Sequence, residues 1–179
     1  MSVAMKQIKF LLTVIFLACP YFTYSNKQYL PFDYARDIGA VQNLLKKEWQ
    51  KLFLSPSYDD HLIHKMFFKR RPGDMSVANA TVNIDVLYSE GKLVGFVTYY
   101  YKNPNVGHLE LLAIDSAFRK KGYGKYAVEQ VTQECKKRGC TTLQLYVYTN
   151  NPPAIKFYEH LGFSLKANFG SYILLYKLI

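Results

Sequence analysis

Residues 111–124 read LLAIDSAFRKKGYG. The stretch begins as an apolar strand, breaks after Ile114 and resumes as a helix at Tyr123. Gly122 and Gly124 let the backbone turn tightly and come close to a ligand. The first amides of a helix have no acceptor within it, and they gather at the positive end of its dipole. Arg119, Lys120, Lys121 and Lys125 add positive charge. A strand, a glycine turn and a helix N-terminus with four cations make a receptor suited to pyrophosphate. The spacing is neither the Gly-x-Gly-x-x-Gly of a dinucleotide fold nor the Gly-x4-Gly-Lys-Ser/Thr of a phosphate loop.

Outward from this stretch, the hydrophobic period gives the surrounding elements. Upstream, Val82, Ile84, Val86 and Tyr88 alternate with polar residues, which predicts a strand. Glu90-Gly91-Lys92 turns the chain into a second strand over 93–101, and Asn103-Pro104-Asn105 turns it into a third over 108–114. Earlier still, Ile38, Val41, Leu44, Leu45, Trp49, Leu52 and Phe53 recur at helical spacing over 35–54, with Asp33 or Asp37 as the cap. A shorter helix is predicted over 58–68, ahead of Pro72-Gly73. Downstream, a helix over 123–138 ends at Gly139. A strand over 143–147, a helix over 152–161 and a strand over 172–178 follow. The order αα-βββ-α-β-α-β predicts an α/β fold with one mixed sheet.

A second motif lies at 151–163, NPPAIKFYEHLGF. Asn151 is a good N-cap, Pro152 suits the first helical position, and Gly162 suits the position after the helix. Ala154, Phe157, Tyr158 and Leu161 share one face. Tyr158 therefore points inward with a hydroxyl that needs a partner.

Taken together, the two motifs resemble those of the GNAT (Gcn5-related N-acetyltransferase) superfamily. Arg119, Gly122 and Gly124 match its coenzyme A motif, Arg/Gln-x-x-Gly-x-Gly/Ala. Asn151, Ala154, Tyr158, Gly162 and Phe163 match its later helix, and the element order fits from about residue 29 to the end. The resemblance implies a central, mostly antiparallel sheet with helices on both faces. It implies transfer of an acetyl or other acyl group from acetyl-CoA to a primary amine, directly, in a ternary complex. It also assigns residues. Amides of the turn Arg119, Lys120, Lys121, Gly122, Tyr123, Gly124 and Lys125 would hold the pyrophosphate. Leu112 and Ile114, on a bulged strand, would bond the pantetheine and thioester, and Asn151 would touch the pantetheine or adenosine side. Tyr158 would protonate the departing thiolate, a developing anion that a phenol within reach can neutralise.

The amine must also lose a proton. Glu110 is the best-placed base and His108 the alternative, since an unperturbed imidazole titrates near neutral pH. Strand phase and the bulge decide which of them faces the cleft. Asp59, Asp60, His61 and His64 match no zinc spacing, and no metal is expected.

Composition sets the outer bounds. The chain has 179 residues, 50% hydrophobic and 20% charged, enough for one domain with a core. Its net charge is +10. Lys6 and Lys9 are two of its 23 basic residues, so residues 26–179 carry 21 against 13 acidic ones, a net +8. Such a surface attracts anions. No nucleic-acid-binding signature is present.

Residues 1–25 combine Lys6 and Lys9, the apolar run FLLTVIFLA at 10–18, and a polar end at Ser25. This is the order of a secretory signal, and the run is shorter than the roughly 20 residues of a membrane span. The expectation is export or membrane anchoring through 1–25, with the acetyltransferase domain at 27–179. The alternative is a cytoplasmic protein. Cys135 and Cys140 suit either a disulfide or two buried thiols. Two other functions stay open at this point. One is a GNAT-like module that binds CoA or a protein without turnover. The other is a basic exported protein that binds anionic membrane or nucleic acid.

Overall fold

A computed structural model describes residues 27–52 and 82–179. The expected leader at 1–25 and the helix at 58–68, with Asp59, Asp60, His61 and His64, lie outside the described residues. The elements are β1 (Lys27–Pro31), α1 (Tyr34–Leu52), β2 (Asn83–Ser89), β3 (Lys92–Asn103), β4 (Val106–Ile114), a 3-10 turn (Ser116–Phe118), α2 (Tyr123–Lys137), β5 (Thr142–Tyr148), α3 (Pro152–His160), β6 (Ser164–Asn168) and β7 (Tyr172–Leu178). Among the described residues, seven strands form one sheet in the order β1-β2-β3-β4-β5-β7-β6. Every neighbouring pair is antiparallel except β4 and β5, which are parallel.

Two hydrophobic clusters lie on opposite faces. Val41, Leu44, Leu45 and Trp49 of α1 pack on Val86, Leu93, Phe96 and Ala113. Ala127, Val128, Val131 and Cys135 of α2, with Tyr158 of α3, pack on Leu87, Val97, Leu109, Leu143 and Leu145. Phe96 has no solvent exposure, so Phe96→Ala would cost about 3–5 kcal/mol. Both candidate caps of α1 are used. Asp33 Oδ1 accepts from the Arg36 amide at 2.9 Å, and Asp37 Oδ2 accepts from the Asp33 amide at 2.8 Å. The β2–β3 hairpin turns through Glu90 and Gly91, both at positive φ, whose twist matches the flanking strands.

Two strands were absent from the sequence reading, β1 and β6. They are the two edges of the sheet. Each is five residues long, β1 ends in Pro31, and four of the five residues of β6 are exposed. Edge strands bury little, so the alternation that marks a strand is weak there.

The pairing of β3 with β4 shifts between Thr98 and Tyr99, opposite Leu111 and Leu109, which leaves Glu110 as the extra residue of a bulge. The Thr98 hydroxyl, 1% exposed, accepts from the Leu111 amide at 3.1 Å and so restores a bond that the bulge takes from the ladder.

Candidate active site

The bulge sits where the sheet opens. β4 and β5 are paired only from Val106 with Thr142 to Leu109 with Leu145. Beyond that point, among the described strands, β4 runs on to Ile114 paired with β3 and β5 runs on to Tyr148 paired with β7, and the two no longer pair with each other. The two parallel strands therefore part in a wedge. Residues 110–114 form one of its walls, an inner strand with an open edge. Leu112 and Ile114 are half-buried there and pack against the cluster beneath α2.

Each wall of the wedge leads into a helix start. After β4, Asp115 caps the 3-10 turn through the Ala117 amide at 2.9 Å and meets Lys47 of α1 at 3.0 Å. Arg119 donates from Nε to the Ile114 carbonyl at 3.0 Å and pairs with Glu48 of α1. Its guanidinium therefore fastens the turn to α1, over a carboxylate that is 2% exposed, and its charge is matched there. Lys120 stands at φ +60° and Gly122 at +82°. Helix α2 begins at Tyr123 with no side-chain cap, and the Tyr126 amide is the first to bond within it, to the Gly122 carbonyl at 3.0 Å. Among the described residues, the amides of Tyr123, Gly124 and Lys125 have no acceptor. The Tyr123 ring is buried and its hydroxyl donates to Ser89 Oγ at 2.6 Å, so only its backbone faces outward. Lys120, Lys121 and Lys125 are exposed around this nest.

The second helix start closes on the first. A Cβ on Gly124 would lie 3.1 Å from the Phe157 ring of α3, so the glycine lets the two helices approach. Asn151 caps α3 by accepting from the Ala154 amide at 3.3 Å, which leaves its side-chain NH2 as a donor. Tyr158 is 8% exposed, with its ring against Phe157 and Phe163, in the cluster that holds Leu109 and Leu145. Its hydroxyl has no partner among the described residues. Burial pushes the phenol above its usual range, so it keeps its proton at neutral pH.

Glu110 is half-buried at the bulge, on the wall of the wedge where the strands part. His108 sits on the opposite face from Leu109. It is 4% exposed, its ring lies 4.9 Å from Tyr100 and 5.2 Å from Tyr146, and its Nδ1 has no hydrogen-bond partner among the described residues. Burial, aided by Lys102, pulls its pKa down to about 4. The imidazole is therefore neutral at physiological pH and a weak base. Of the two candidate bases, Glu110 is the more accessible, half-buried where His108 is 4% exposed.

Aromatic residues that the sequence reading passed over gather on this second face. Tyr146 follows Leu145 directly and is exposed. Its ring lies 5.5 Å from Tyr172 and 6.3 Å from Phe169, which stack on each other at 5.1 Å. Alternation of Tyr146 with Tyr148 and of Tyr172 with Tyr176 was the available signal, but which face they share depends on pairing β5 with β7. Among the described residues no cluster of His, Cys, Asp or Glu could hold a metal. Cys135 and Cys140 are free, buried thiols, and burial and Cys140 push Cys135 up to about 12.

A sequence profile described as the acetyltransferase (GNAT) family matches residues 38–163. The chain belongs to that family. Relatives of this GNAT chain include the uncharacterized protein YxbD of Bacillus subtilis, 25% identical over 107 residues, covering 55% of the chain and 65% of YxbD. The [ribosomal protein bS18]-alanine N-acetyltransferase of Escherichia coli K12 is 40% identical over 53 residues, 30% of the chain and 36% of that enzyme. The chain thus spans about two thirds of the first relative and about a third of the second. A crystal structure of the PaiA N-acetyltransferase from Thermoplasma acidophilum in complex with coenzyme A has the same fold, with a TM-score of 0.69 at 16% identity. The match covers 86% of the chain and 99% of that protein.

Proposed function

We propose that the chain transfers the acetyl group of acetyl-CoA to a primary amine in a single ternary complex. The observation that carries this is a coincidence of place. The open amides at the start of α2, the wall of β4 that β5 leaves uncovered and the buried Tyr158 surround one wedge. The fit to acetyl-CoA rests on this backbone. A helix start without a side-chain cap offers N–H groups to a pyrophosphate, and three exposed lysines surround it. Leu112 and Ile114 lie on an edge that can pair with the amide groups of pantetheine, as an added strand would.

The chemistry follows from the groups at the wedge. The amine nitrogen attacks the thioester carbonyl, forming a C–N bond as the C–S bond breaks. Glu110 takes the proton that the nitrogen loses, directly or through water. Tyr158 gives its proton to the departing sulfur, a role that suits a phenol held protonated by burial. The amine enters from the face of Tyr146, Phe169 and Tyr172, opposite the face that carries α2 and α3. Among primary amines, a protein α-amino group is the first class to test, because the relative matched over 53 residues is named for acetylating an alanine of a ribosomal protein.

The test is thiol release from acetyl-CoA with a panel of peptide, polyamine and aryl-alkyl amines. Amine-dependent release, lost in Tyr158→Phe, is expected. Tight acetyl-CoA binding with no release for any amine would leave a CoA-binding module instead. Residues 1–25 are proposed to direct the chain to a membrane or out of the cell, which fractionation of cells producing the full chain would test. Recovery in the soluble cytosol with residues 1–25 intact would contradict it.

A further inference from the structure

Beside the wedge, a residue remote in sequence grips the anion-binding turn from behind. Lys27 opens β1, the edge strand. Its ammonium donates to the Lys121 carbonyl at 3.0 Å and lies 4.9 Å from the centre of the Tyr123 ring. A Cβ built on Gly122 would come within 3.2 Å of the same nitrogen. That ring is fixed in turn, because the Tyr123 hydroxyl is bonded to Ser89 of β2 at 2.6 Å. The strand is itself anchored under α2. The Tyr29 hydroxyl donates to Asp85 at 2.6 Å, and the Tyr29 ring meets the edge of Tyr126 at 6.2 Å.

Peptide geometry gives the contact its meaning. A trans peptide sends its carbonyl and its N–H in opposite directions. With the Lys121 carbonyl held by Lys27, the Gly122 N–H points away from β1. Lys121 keeps an ordinary negative φ between Lys120 and Gly122, both positive. A negative φ followed by a positive one is the alternation in which successive N–H groups converge into an anion nest. Were the 121–122 peptide to flip, a carbonyl oxygen would replace the Gly122 N–H on the nest side and repel a phosphate.

We infer that Lys27 is a positioning residue for the pyrophosphate turn, holding the Lys121–Gly122 peptide with its N–H toward the ligand. The inference rests on the acetyl-CoA reading above. It ties the edge strand to the cofactor site, and the tie works in both directions: a ligand that fixes the turn also holds Lys27 and steadies β1.

Calorimetric titration of the full chain with acetyl-CoA, and separately with inorganic pyrophosphate, tests this in wild type, Lys27→Met and Lys27→Arg. Lys27→Met keeps the apolar stem and removes the donor. The expected result is acetyl-CoA binding at least fivefold weaker in Lys27→Met, with an unchanged melting temperature without ligand, and near-normal binding in Lys27→Arg. The loss should persist at 0.5 M salt, where a simple surface charge is screened. Hydrogen exchange of residues 28–30 should slow with acetyl-CoA in wild type and not in Lys27→Met. Wild-type affinity in Lys27→Met, or a defect that salt abolishes, would overturn the inference. Pyrophosphate binding that depends on Lys27, in a protein that ignores acetyl-CoA, would uphold it while sinking the acetyltransferase reading. Binding of neither ligand would overturn both.

Discussion

The two mouths of the wedge are built differently. On the face of α2 and α3, the groups offered to a ligand are mostly backbone: amides of Tyr123, Gly124 and Lys125, and the open edge of residues 110–114. On the other face they are side chains: His108, Tyr146, Phe169 and Tyr172, brought together from β4, β5, β7 and the connection before β7. Backbone suits a ligand part that is always the same, which under the proposed function is a pyrophosphate and its pantetheine. Side chains can change one at a time, so they serve a part that differs between members of one fold. The contrast implies that changes on the first face act on acetyl-CoA, and changes on the second on the amine.

The largest effect expected is that of Tyr158→Phe, in the cluster beneath α2 and α3. It removes a proton donor worth about a hundredfold or more in turnover, so kcat should fall by that order while acetyl-CoA affinity stays near wild type. A matching loss of affinity would make Tyr158 a packing residue only. Gly122→Val comes next. It forces a branched residue to φ +82° and brings a Cβ to 3.2 Å from Lys27, a strain of about 1–2 kcal/mol from conformation alone. Calorimetry should show acetyl-CoA binding weakened by roughly tenfold or more, and unchanged binding would move the pyrophosphate elsewhere.

Tyr146→Ala should raise the KM for the amine by up to about tenfold, the loss of one aromatic contact, and leave the acetyl-CoA constant alone. If both constants shift together, the division between the mouths fails.

The smallest expected effect concerns His108 and is read as stability. In the folded protein it stays neutral down to about pH 4, whereas in an unfolded chain it titrates near 6.5. Between those values the unfolded state binds a proton that the folded state does not, so stability falls as pH drops through the window and is unaffected well above it. From pH 7 to 5.5 the loss should be about 1 kcal/mol in urea unfolding. His108→Gln should remove that part of the slope. An unchanged slope would mean that His108 titrates normally, and its candidacy as a base would return.

The same contrast explains what could be read from the chain alone. The face of α2 and α3 was legible because its parts are contiguous: a strand, a turn and a helix start within residues 111–124, and a cap, inward tyrosine and terminal glycine within 151–163. The strands and helices with a buried face were legible for a similar reason, since burial writes a period of 2 or 3.6 into the sequence. β1 and β6 were not, because edges bury little. Lys27 and Glu48 were silent because their partners, Lys121 and Arg119, lie 94 and 71 residues away. The aromatic face depends on a register between β5 and β7 that no local pattern fixes. Arg119 shows the limit from the other side. Its spacing marked it as part of the turn, but only the fold reveals that its guanidinium is turned toward α1.

The account stands or falls on acetyl-CoA, and the most direct measurement is the melting temperature of the full chain with and without it. At ~100 times its dissociation constant, a ligand bound only by the folded state adds ~2.7 kcal/mol, a rise of roughly 5–10 °C for a domain of this size. That rise is expected in wild type and in Tyr158→Phe, and a much smaller one in Gly122→Val. No rise in wild type with acetyl-CoA at millimolar concentration would contradict it.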